Sequence, residues 1–556
     1  MKKPILIPVV FLLFLSLQAA RAGSATWDLN PVNNDWNTAA NWTPATVPNS
    51  VSDIATFDLS NTKSLRIASG DIVGGIVFDS GASAFIINLE SFAFLTLGGG
   101  GISNASAVTQ KFTVGSFAQL NFVNGAKAGM MTQITNIGAT NDFGGEGTTY
   151  FRNSASADHA VVLNAGATGS AAPPGFTYFY DTSTADHATI SNLPAALDAD
   201  QGGSTYFYAS ASAGNGTFTN NGGTAAYLFA TTTEFYDTST AAEATLTATG
   251  GVHDFGQGGG TLFFASSTAA NASLVATAGV NGHPGGYIWL ADSSTGGTAQ
   301  VRLMGNGQLD ISVHDAPGVT IGSLKGNGLV FVGANNLTVG SNGLDGNFTG
   351  IIQDGGQDGG VGGSLTKTGA GVLNLRGANL YTGGTTVNEG ALAALNTTGS
   401  ATGTEAVQVN GGTLAGNGTI AGAATIGQGN GTGAFLAPAN GTGVQSALTI
   451  QGKLTLKADA TYICTLKAKL KKTSADEVIA EGVTINTGAT FTFQGKVQGT
   501  LQAGTVFTVL SNTSSTPING TFSNLPDGAI LTMSGNNFQA SYEGGDGNDL
   551  ALTVVP

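Results

Sequence analysis

The chain has little positive charge. Its 556 residues include only 19 Lys and Arg against 34 Asp and Glu, which gives a formal net charge of −15. A nucleic-acid partner requires a basic face that can contact phosphates. The composition therefore argues against nucleic-acid binding, and the acidic excess favours solubility.

Cysteine is almost absent, since Cys464 is the only one. No intramolecular disulfide can form, although export would permit one. Stability must therefore come from packing and hydrogen bonds. Cys464 lies in the alternating run TYICTL, which favours a buried structural thiol over a reactive one.

Long hydrophobic runs are confined to the first residues. Two lysines precede an apolar run over 5–17, and a small-x-small cleavage pattern ends at Ala22. These features predict a signal peptide over 1–22. The run is short for a membrane span, and no later segment is apolar enough to be one. We therefore expect a secreted chain without a transmembrane segment after cleavage.

Glycine is abundant, with 85 residues, while charged residues make up only 10% of the chain. Hydrophobic residues make up 41%, which excludes a disordered polyanion. Gly and Asn tolerate the positive φ that tight turns need. The composition is typical of β structure with many turns.

A repeat of 28 residues occupies the middle of the chain. Fixed periods in this range indicate a solenoid, because one repeat alone cannot bury its apolar face. A propeller is disfavoured, since its blades need about 40 residues. Copies begin at Thr149, Thr177, Thr205, Thr233 and Thr261, and a looser sixth copy begins near Tyr287.

The columns of the repeat alternate between apolar and polar residues, as expected for strands with one buried face. We predict an all-β fold, an elongated parallel β-solenoid (β-helix) with coils about 4.8 Å apart. The predicted inward columns are Phe151, Phe179, Phe207, Phe235 and Phe263 on one strand, and Val162, Ile190, Phe218, Leu246 and Leu274 on the next.

An aromatic ladder is predicted on the outward face beside the Phe column. Stacked tyrosines offer flat amphipathic faces that suit sugars or partner proteins. The alternative is that the ladder mainly stabilises the stack through cross-strand contacts. The candidate binding residues are Tyr150, Tyr178, Tyr180, Tyr206, Tyr208 and Tyr236.

One copy of the repeat, TYFYDTSTADHATI, resembles a catalytic cluster. It holds Asp181, Ser183, Asp186 and His187 within a few residues. A catalytic triad needs one fixed constellation, but other copies place Asn, Gly or Ala at these positions. We therefore interpret the stretch as a turn between two strands and predict no catalytic residue here.

Three of the four tryptophans lie close together near the start, at Trp27, Trp36 and Trp42. A solenoid needs a cap that shields the edge of its first coil. The cluster therefore favours an N-terminal cap, with an aromatic sugar-binding platform as the alternative.

Calcium is the one metal that the sequence suggests. GGDGNDLAL, from Gly544, matches the glycine and aspartate positions of a calcium-binding β-roll repeat. The motif occurs once, whereas such rolls draw their ligands from successive repeats. The candidate ligands are Asp546 and Asp549, and a Gly-rich turn is the alternative; GGQDGGVGG, with Asp354 and Asp358, is a weaker candidate.

A lysine-rich stretch lies in the C-terminal region, where LKAKLKK carries Lys467, Lys469, Lys471 and Lys472. We interpret it as an exposed edge or hairpin whose charges discourage association between sheet edges. Anchoring to an acidic polymer is the alternative.

The most specific stretch is GGSLTKTGAGVLNLRGANLYTGGTTVNEGALAAL over 362–395. It resembles the autotransporter-associated β-strand repeat found in passenger regions of bacterial secreted proteins. The resemblance implies a passenger-like β-solenoid at the outer surface of a bacterium or released from it. Residues that carry it include Leu365, Lys367, Gly369, Leu373, Leu375, Asn379, Tyr381, Thr385, Val387, Gly390 and Leu392.

Many relatives with this repeat end in an outer-membrane barrel. Such a barrel needs many strands of about ten alternating residues, whereas the last hundred residues read as further solenoid. We therefore expect this chain to lack the C-terminal translocator barrel.

The sequence thus predicts a secreted or cell-surface β-solenoid with a structural or adhesive role and no catalysis. A surface polysaccharide or another protein is the expected partner. The alternative is a polysaccharide-active enzyme, a lyase or hydrolase, or a carbohydrate-binding β-helix. The predicted regions are a signal peptide (1–22), a cap with first coils (23–145), the 28-residue array (146–300), further solenoid (301–447) and a C-terminal β region (448–556).

Overall fold

A computed structural model describes residues 23–141, 144–169, 172–196, 201–224, 230–253, 256–431, 433–439, 446–469 and 472–556. The predicted signal peptide lies outside the described residues. Within them the secondary structure is almost entirely β, with two short 3-10 turns at Ala39–Asn41 and Val280–Gly282.

The N-terminal part contributes ten strands. They are β1 (Ala25–Trp27), β2 (Trp42–Thr43), β3 (Ser50–Phe57), β4 (Ser64–Ile67), β5 (Gly70–Phe78), β6 (Ile86–Leu89), β7 (Phe94–Asn104), β8 (Gln110–Val114), β9 (Gln119–Phe122) and β10 (Thr132–Asn136).

The repeat array forms two short strands per coil. They are β11 (Thr148–Phe151), β12 (Val161–Asn164), β13 (Phe176–Phe179), β14 (Thr189–Asn192), β15 (Ser204–Phe207), β16 (Thr217–Asn220), β17 (Thr232–Phe235), β18 (Thr245–Ala248), β19 (Gly260–Phe263), β20 (Ser273–Ala276), β21 (Tyr287–Leu290) and β22 (Gln300–Leu303).

The central part has shorter coils. Its strands are β23 (Gln308–Asp310), β24 (Gly318–Ile321), β25 (Ser323–Gly326), β26 (Leu329–Phe331), β27 (Asn336–Val339), β28 (Gly346–Phe348), β29 (Ile351–Gln353), β30 (Ser364–Lys367), β31 (Val372–Leu375), β32 (Thr385–Val387), β33 (Ala391–Ala394), β34 (Val407–Val409), β35 (Gly412–Gly416), β36 (Thr419–Ile420), β37 (Ala424–Ile426) and β38 (Ala434–Leu436).

The C-terminal part combines the last coils with longer strands. They are β39 (Ala447–Ile450), β40 (Leu454–Leu456), β41 (Ala460–Lys469), β42 (Lys472–Ala475), β43 (Glu477–Ala480), β44 (Val483–Ile485), β45 (Thr490–Val497), β46 (Val506–Asn512), β47 (Ile530–Met533), β48 (Asn536–Gly544) and β49 (Asp549–Val555).

Two long parallel sheets run along the molecule. The first sheet passes from β1 through the odd-numbered strands β3 to β23 and ends at β26 and β29. The second sheet passes from β4 through β6 to β22 in even numbers, and continues through β25, β28, β31, β33, β35, β38, β41 and β45. Its eighteen strands, at about 4.8 Å each, give a length of about 80 Å.

The register confirms the predicted parallel β-solenoid. Tyr178 pairs with Tyr206 on one sheet, and Ile190 pairs with Phe218 on the other, so each residue lies beside its equivalent 28 positions later. The looser sixth copy is offset by 27, since Gly260 pairs with Tyr287. Equivalent positions therefore stack above one another throughout the array, and in the core columns most of the stacked residues are alike.

The predicted inward columns form the core. The Phe side chains from Phe122 to Phe263 are fully buried, and neighbouring rings stack at 4.6–4.8 Å. The column from Val162 to Leu274 is equally buried. Each ring stacks on the rings of the coils above and below it, which is why one repeat cannot fold alone.

From Gly318 onward the cross-section gains a third sheet, β24-β27-β30-β32-β34-β37-β40-β44. Among the described residues of the 28-residue array, this side holds isolated bridges instead of a sheet, such as Ser156 to Thr184. A fourth sheet begins at β36 and includes β39, β43, β46, β49, β48 and β47.

The C-terminal end departs from the expectation of further solenoid. From Val506 the last strands pair antiparallel, β46 with β49, β49 with β48, and β48 with β47. The turns before β48 and β49 are too short for a parallel crossover, so the chain folds back on itself. This antiparallel end covers the edge that the last coil would otherwise expose.

The N-terminal tryptophans form a buried cap. Trp27, Trp36 and Trp42 are at most 1% exposed. Trp42 meets the other two edge-to-face, at 5.1 and 4.9 Å between ring centroids, and its Nε1 donates to the Trp36 carbonyl at 2.7 Å. Because all three indole rings are buried, they cannot form the exposed platform of the sugar-binding alternative, and the cap stays our interpretation of this cluster.

Two C-terminal predictions are also confirmed. Cys464 is fully buried, and burial raises the pKa of its thiol. The lysine-rich stretch forms an antiparallel hairpin, in which Lys469 of β41 pairs with Lys472 of β42; Lys471 lies outside the described residues. Within the described ranges, no helix has the length and hydropathy to cross a membrane.

Candidate functional site

The outward face of the first sheet carries the predicted tyrosine ladder as two parallel columns. We call the six tyrosines of these columns the tyrosine ladder. The first column stacks with ring centroids 5.3 and 5.1 Å apart, and the second with 5.2 and 5.0 Å. The columns are Tyr150, Tyr178 and Tyr206, and Tyr180, Tyr208 and Tyr236.

The two columns contact each other across the strand. Tyr178 lies 5.9 Å from Tyr180, and Tyr206 lies 6.3 Å from Tyr208, with the rings nearly parallel in both pairs. The strand alternation places these rings two residues apart on the same side. All six tyrosines are partly buried and partly exposed, so the ladder is both a packed element and an accessible surface.

Each end of the ladder carries a charged group. The Arg152 guanidinium lies 4.6 Å from the Tyr150 ring centroid and 4.8 Å from that of Tyr180, a cation–π arrangement. At the other end Glu234 takes the place of a tyrosine, and its carboxylate accepts a hydrogen bond from the Tyr236 hydroxyl at 2.5 Å.

Burial raises the pKa of every ladder tyrosine. For Tyr178 the neighbouring tyrosines raise the pKa further, and for Tyr206 the Glu234 carboxylate does so. The phenols therefore stay protonated in neutral solution. A neutral ring with one hydroxyl donor suits contact with uncharged polar molecules better than nucleophilic chemistry.

The aromatic surface continues beyond the tyrosines. Phe264 extends the second column at 4.9 Å from Tyr236. Tyr287 and Trp289 lie farther along the sheet with ring centroids 5.2 Å apart, and both line a depression with Pro284 and Gln357. Sequence reasoning missed this last pair because the sixth copy departs from the 28-residue period.

The cluster in TYFYDTSTADHATI lies at a corner between two strands, as predicted. His187 Nδ1 lies 2.6 Å from the Asp186 carboxylate, and one coil earlier His159 Nδ1 lies 2.6 Å from the Asp158 carboxylate. The two imidazole rings stack with their centroids 4.9 Å apart. Asp186 has a positive φ of 54°, which Asp tolerates better than most residues.

The nucleophile that a triad would need is not available in this cluster. Ser183 is fully buried, and its hydroxyl has no hydrogen-bond partner among the described residues. The Asp181 carboxylate accepts the backbone N–H of Asn153, one coil earlier, at 2.8 Å. These contacts join neighbouring coils at the corner.

A buried asparagine ladder was missed by sequence reasoning. It lies at the ends of the second-sheet strands and comprises Asn136, Asn164, Asn192 and Asn220, all fully buried. The side-chain amides of the first three each donate to the side-chain oxygen of the next asparagine, at 2.7–2.8 Å. A threonine from the first sheet donates to each Asn oxygen at 2.7–3.0 Å, from Thr149, Thr177, Thr205 and Thr233.

The two candidate calcium ligands lie at the β48–β49 hairpin. Asp546 is exposed in the turn, whereas Asp549 is largely buried and accepts the Asn512 backbone N–H at 2.8 Å. Asp354, from the weaker motif, accepts N–H groups of Gly362 and Gly363 at 3.1 Å. The described residues contain no group of three or more His, Cys, Asp or Glu arranged for a metal, and calcium binding stays a prediction.

The stretch over 362–395 forms β30 to β33, two strands in the third sheet and two in the second. Lys367 is buried, and its ammonium donates to the carbonyls of Thr368 and Gly369 at 2.6 Å and to that of Glu389 at 3.2 Å. Burial lowers its pKa to about 8. The lysine thereby joins two turns of neighbouring coils.

Asn379 of this stretch also binds neighbouring coils, whereas the Tyr381 side chain bonds within its own coil. The Asn379 side chain accepts the Ile352 N–H at 2.8 Å and donates to the Ala401 carbonyl at 2.6 Å. Tyr381 is fully buried, with its hydroxyl 2.6 Å from that of Thr385. The most specific motif of the sequence therefore contains buried residues that stabilise the fold, and Lys367 and Asn379 join neighbouring coils.

Comparison with protein families agrees with this geometry. The model of the passenger-associated-transport-repeat family matches residues 365–394, within the stretch predicted from sequence. No curated protein matches the chain. The chain is a parallel β-solenoid that carries an autotransporter passenger-like repeat at residues 365–394.

Proposed function

We propose that this protein is a secreted or surface-held β-solenoid with a structural and adhesive role and no catalytic activity. Its rigid stack would display the tyrosine ladder, which would contact carbohydrate on a surface. The passenger-like repeat and the parallel solenoid support the structural part of this proposal. The partly exposed tyrosine ladder is the observation that carries the adhesive part.

The ladder suits an extended, uncharged glycan for a physical reason. Ring planes in each column lie within about 15° of each other, and the columns advance along the solenoid by one strand spacing per coil. Sugar rings can pack on such amphipathic faces, while the tyrosine hydroxyls bond to sugar hydroxyls. Little conformational entropy is lost, because the rings are already held by their neighbours.

The experiment compares glycan-array binding of the wild-type chain with that of Tyr180→Ala/Tyr208→Ala. We expect at least about a tenfold loss, since each ring supplies about 1 kcal/mol. The matched control is Phe92→Ala/Phe117→Ala, which removes another exposed stacked pair, 4.7 Å apart, outside the ladder. It should bind as the wild type does.

Two results would contradict the proposal. Undiminished binding by a folded Tyr180→Ala/Tyr208→Ala chain would remove the ladder from the adhesive function. New reducing ends released from the bound glycan, and lost in Glu234→Gln, would favour the polysaccharide-active alternative instead.

A further inference from the structure

We propose a second, separate binding surface, an anion-binding strip on the second sheet that takes a linear acidic polysaccharide. The strip consists of Arg302, Lys325, Asn327, Asn347 and Arg376. All five side chains are exposed. The proposal does not depend on the tyrosine ladder, which lies on the first sheet.

The register aligns the strip along the solenoid. Arg302 of β22 pairs with Lys325 of β25, which pairs with Asn347 of β28. Arg376 directly follows β31, the next strand, and its N–H donates to the Phe348 carbonyl. The three cations therefore span three strand spacings, about 14 Å along the axis.

The two amides of the strip are oriented as donors. The Asn327 side-chain oxygen accepts the Gly305 N–H at 2.9 Å. The Asn347 side-chain oxygen accepts Nε of Arg376 at 3.1 Å. Because a donor occupies each amide oxygen, the NH₂ group of each amide remains for a ligand. With the guanidinium and ammonium groups, the strip presents donors, as carboxylate or sulfate binding requires.

The positive charge of the strip is not neutralised by the protein. Among the described residues, Arg302, Lys325 and Arg376 form no ion pair with a carboxylate, whereas Arg66 pairs with two. Asp345, in the turn before β28, uses an oxygen to accept the Val372 N–H at 2.8 Å. Two of these cations, Arg302 and Lys325, line a shallow depression together with Asn327 and Asn347. In a chain of net charge −15, a group of cations without carboxylate partners among the described residues is an unusual arrangement.

The shape of the strip favours a polymer over a small anion. The cations are spread along the solenoid rather than converging on one point: Arg302 and Lys325 lie on neighbouring strands, and Arg376 follows β31, two strands farther along. A linear chain with regularly spaced acidic groups can meet several of them at once, and the binding energies then combine. A single carboxylate would contact only one or two of the cations and would therefore bind weakly.

The experiment measures binding of the full chain to polygalacturonate by calorimetry, with galacturonate monomer and neutral dextran as comparison ligands. We expect polymer binding at low salt, weaker binding at higher ionic strength because screening increases, and little binding of monomer or dextran. Arg302→Gln/Lys325→Gln should lose at least tenfold in affinity.

The matched control is Lys111→Gln, which removes a cation from the same outward face, where its strand neighbours are Ile86 and Gln133. It should retain wild-type binding. Tyr180→Ala/Tyr208→Ala should also retain polygalacturonate binding, which separates this proposal from the ladder.

Other outcomes would overturn the proposal. Wild-type affinity in a folded Arg302→Gln/Lys325→Gln chain would exclude the strip. Equal binding of dextran or of the monomer would exclude a linear polyanion, and binding to phosphatidylglycerol vesicles in place of polygalacturonate would assign the charge to a lipid surface.

Discussion

At the scale of single residues, Asp71 shows how the cap combines charge with burial. Its side chain is fully buried, and Asn37 donates to both carboxylate oxygens, at 2.8 and 3.0 Å. The pKa of this carboxyl is raised to about 6. Burial is the largest cause, the hydrogen bond from Asn37 partly offsets it, and the charge of Asp35 adds to the rise. The carboxyl is therefore protonated in the folded chain at a pH where it is ionised in the unfolded chain.

The sign of the pH dependence follows from this raised pKa. Below about pH 4 both states are protonated, and the stability from this group is fully present. It is lost as pH rises through about 6, by at most about 3 kcal/mol. Asp71→Asn should remove this loss, so its stability relative to the wild type should increase between pH 4 and pH 7.

Urea denaturation midpoints at pH 4 and pH 7 measure this effect. Asn37→Ala is the companion variant, because loss of the amide donor should steepen the decline in stability. A constant difference between wild type and Asp71→Asn across this range would contradict the assigned pKa.

Lys367 and Tyr381 show that residues of a sequence motif can stabilise the fold without contacting a ligand. Both side chains are buried, and their polar atoms form hydrogen bonds within the fold. Residues with such requirements are confined to one type at one position. A sequence pattern can therefore identify the repeat while saying little about what the surface binds.

At the scale of elements, ladders of like side chains hold the coils together. The asparagine ladder is the clearest, because Asn192 donates to Asn220 and to the Thr232 carbonyl, both at 2.7 Å, and accepts from Asn164 and Thr205. Loss of one member leaves several buried partners unsatisfied, which costs more than the bond itself.

Asn192→Ala should therefore lower the free energy of unfolding by about 2–3 kcal/mol. Ser183→Ala, in the same coil, is the matched control, since this buried hydroxyl has no partner among the described residues and Ala occupies the equivalent positions 155 and 211. Its effect should be about 1 kcal/mol or less. Thermal melts of the two variants make the comparison, and equal destabilisation would contradict the role of the ladder.

The sequence predicted the elements wherever the period was regular. Phe179 and Tyr178 could be assigned to opposite faces because strand alternation and the 28-residue repeat agree. The asparagine ladder has the same period, but Asn at the end of a strand is also typical of a turn. Its inward direction depends on the Thr column of the other sheet, and no single strand reveals this pairing.

The anion-binding strip could not be predicted from sequence for a different reason. Arg302, Lys325 and Arg376 come from coils of unequal length, so no fixed spacing connects them. Only the strand register brings Arg302 beside Lys325 and places Arg376 two residues beyond Asn374, the residue that continues their row. The tyrosine ladder, in contrast, could be predicted from the sequence because its tyrosines recur every 28 residues.

At the scale of the whole molecule, the stack has two ends and two candidate binding surfaces. The tryptophan cap covers the first coils, and the antiparallel strands β46 to β49 cover the last. Protected ends limit the growth of the stack into other chains. The tyrosine ladder and the anion-binding strip then lie on different sheets of one elongated molecule, an arrangement suited to a surface-displayed rod.

The central claim is that successive coils stack in a register of 28 residues, and engineered disulfides test it most directly. The side-chain oxygens of Ser210 and Thr238 lie 3.1 Å apart on neighbouring coils, so Ser210→Cys/Thr238→Cys should form a disulfide on mild oxidation. Ser210→Cys/Ser266→Cys places the thiols two coils apart, about 10 Å, and should stay reduced. Mass spectrometry after thiol alkylation distinguishes them: a disulfide in the first pair alone supports the solenoid, and equal oxidation of both pairs, or of neither, would contradict it.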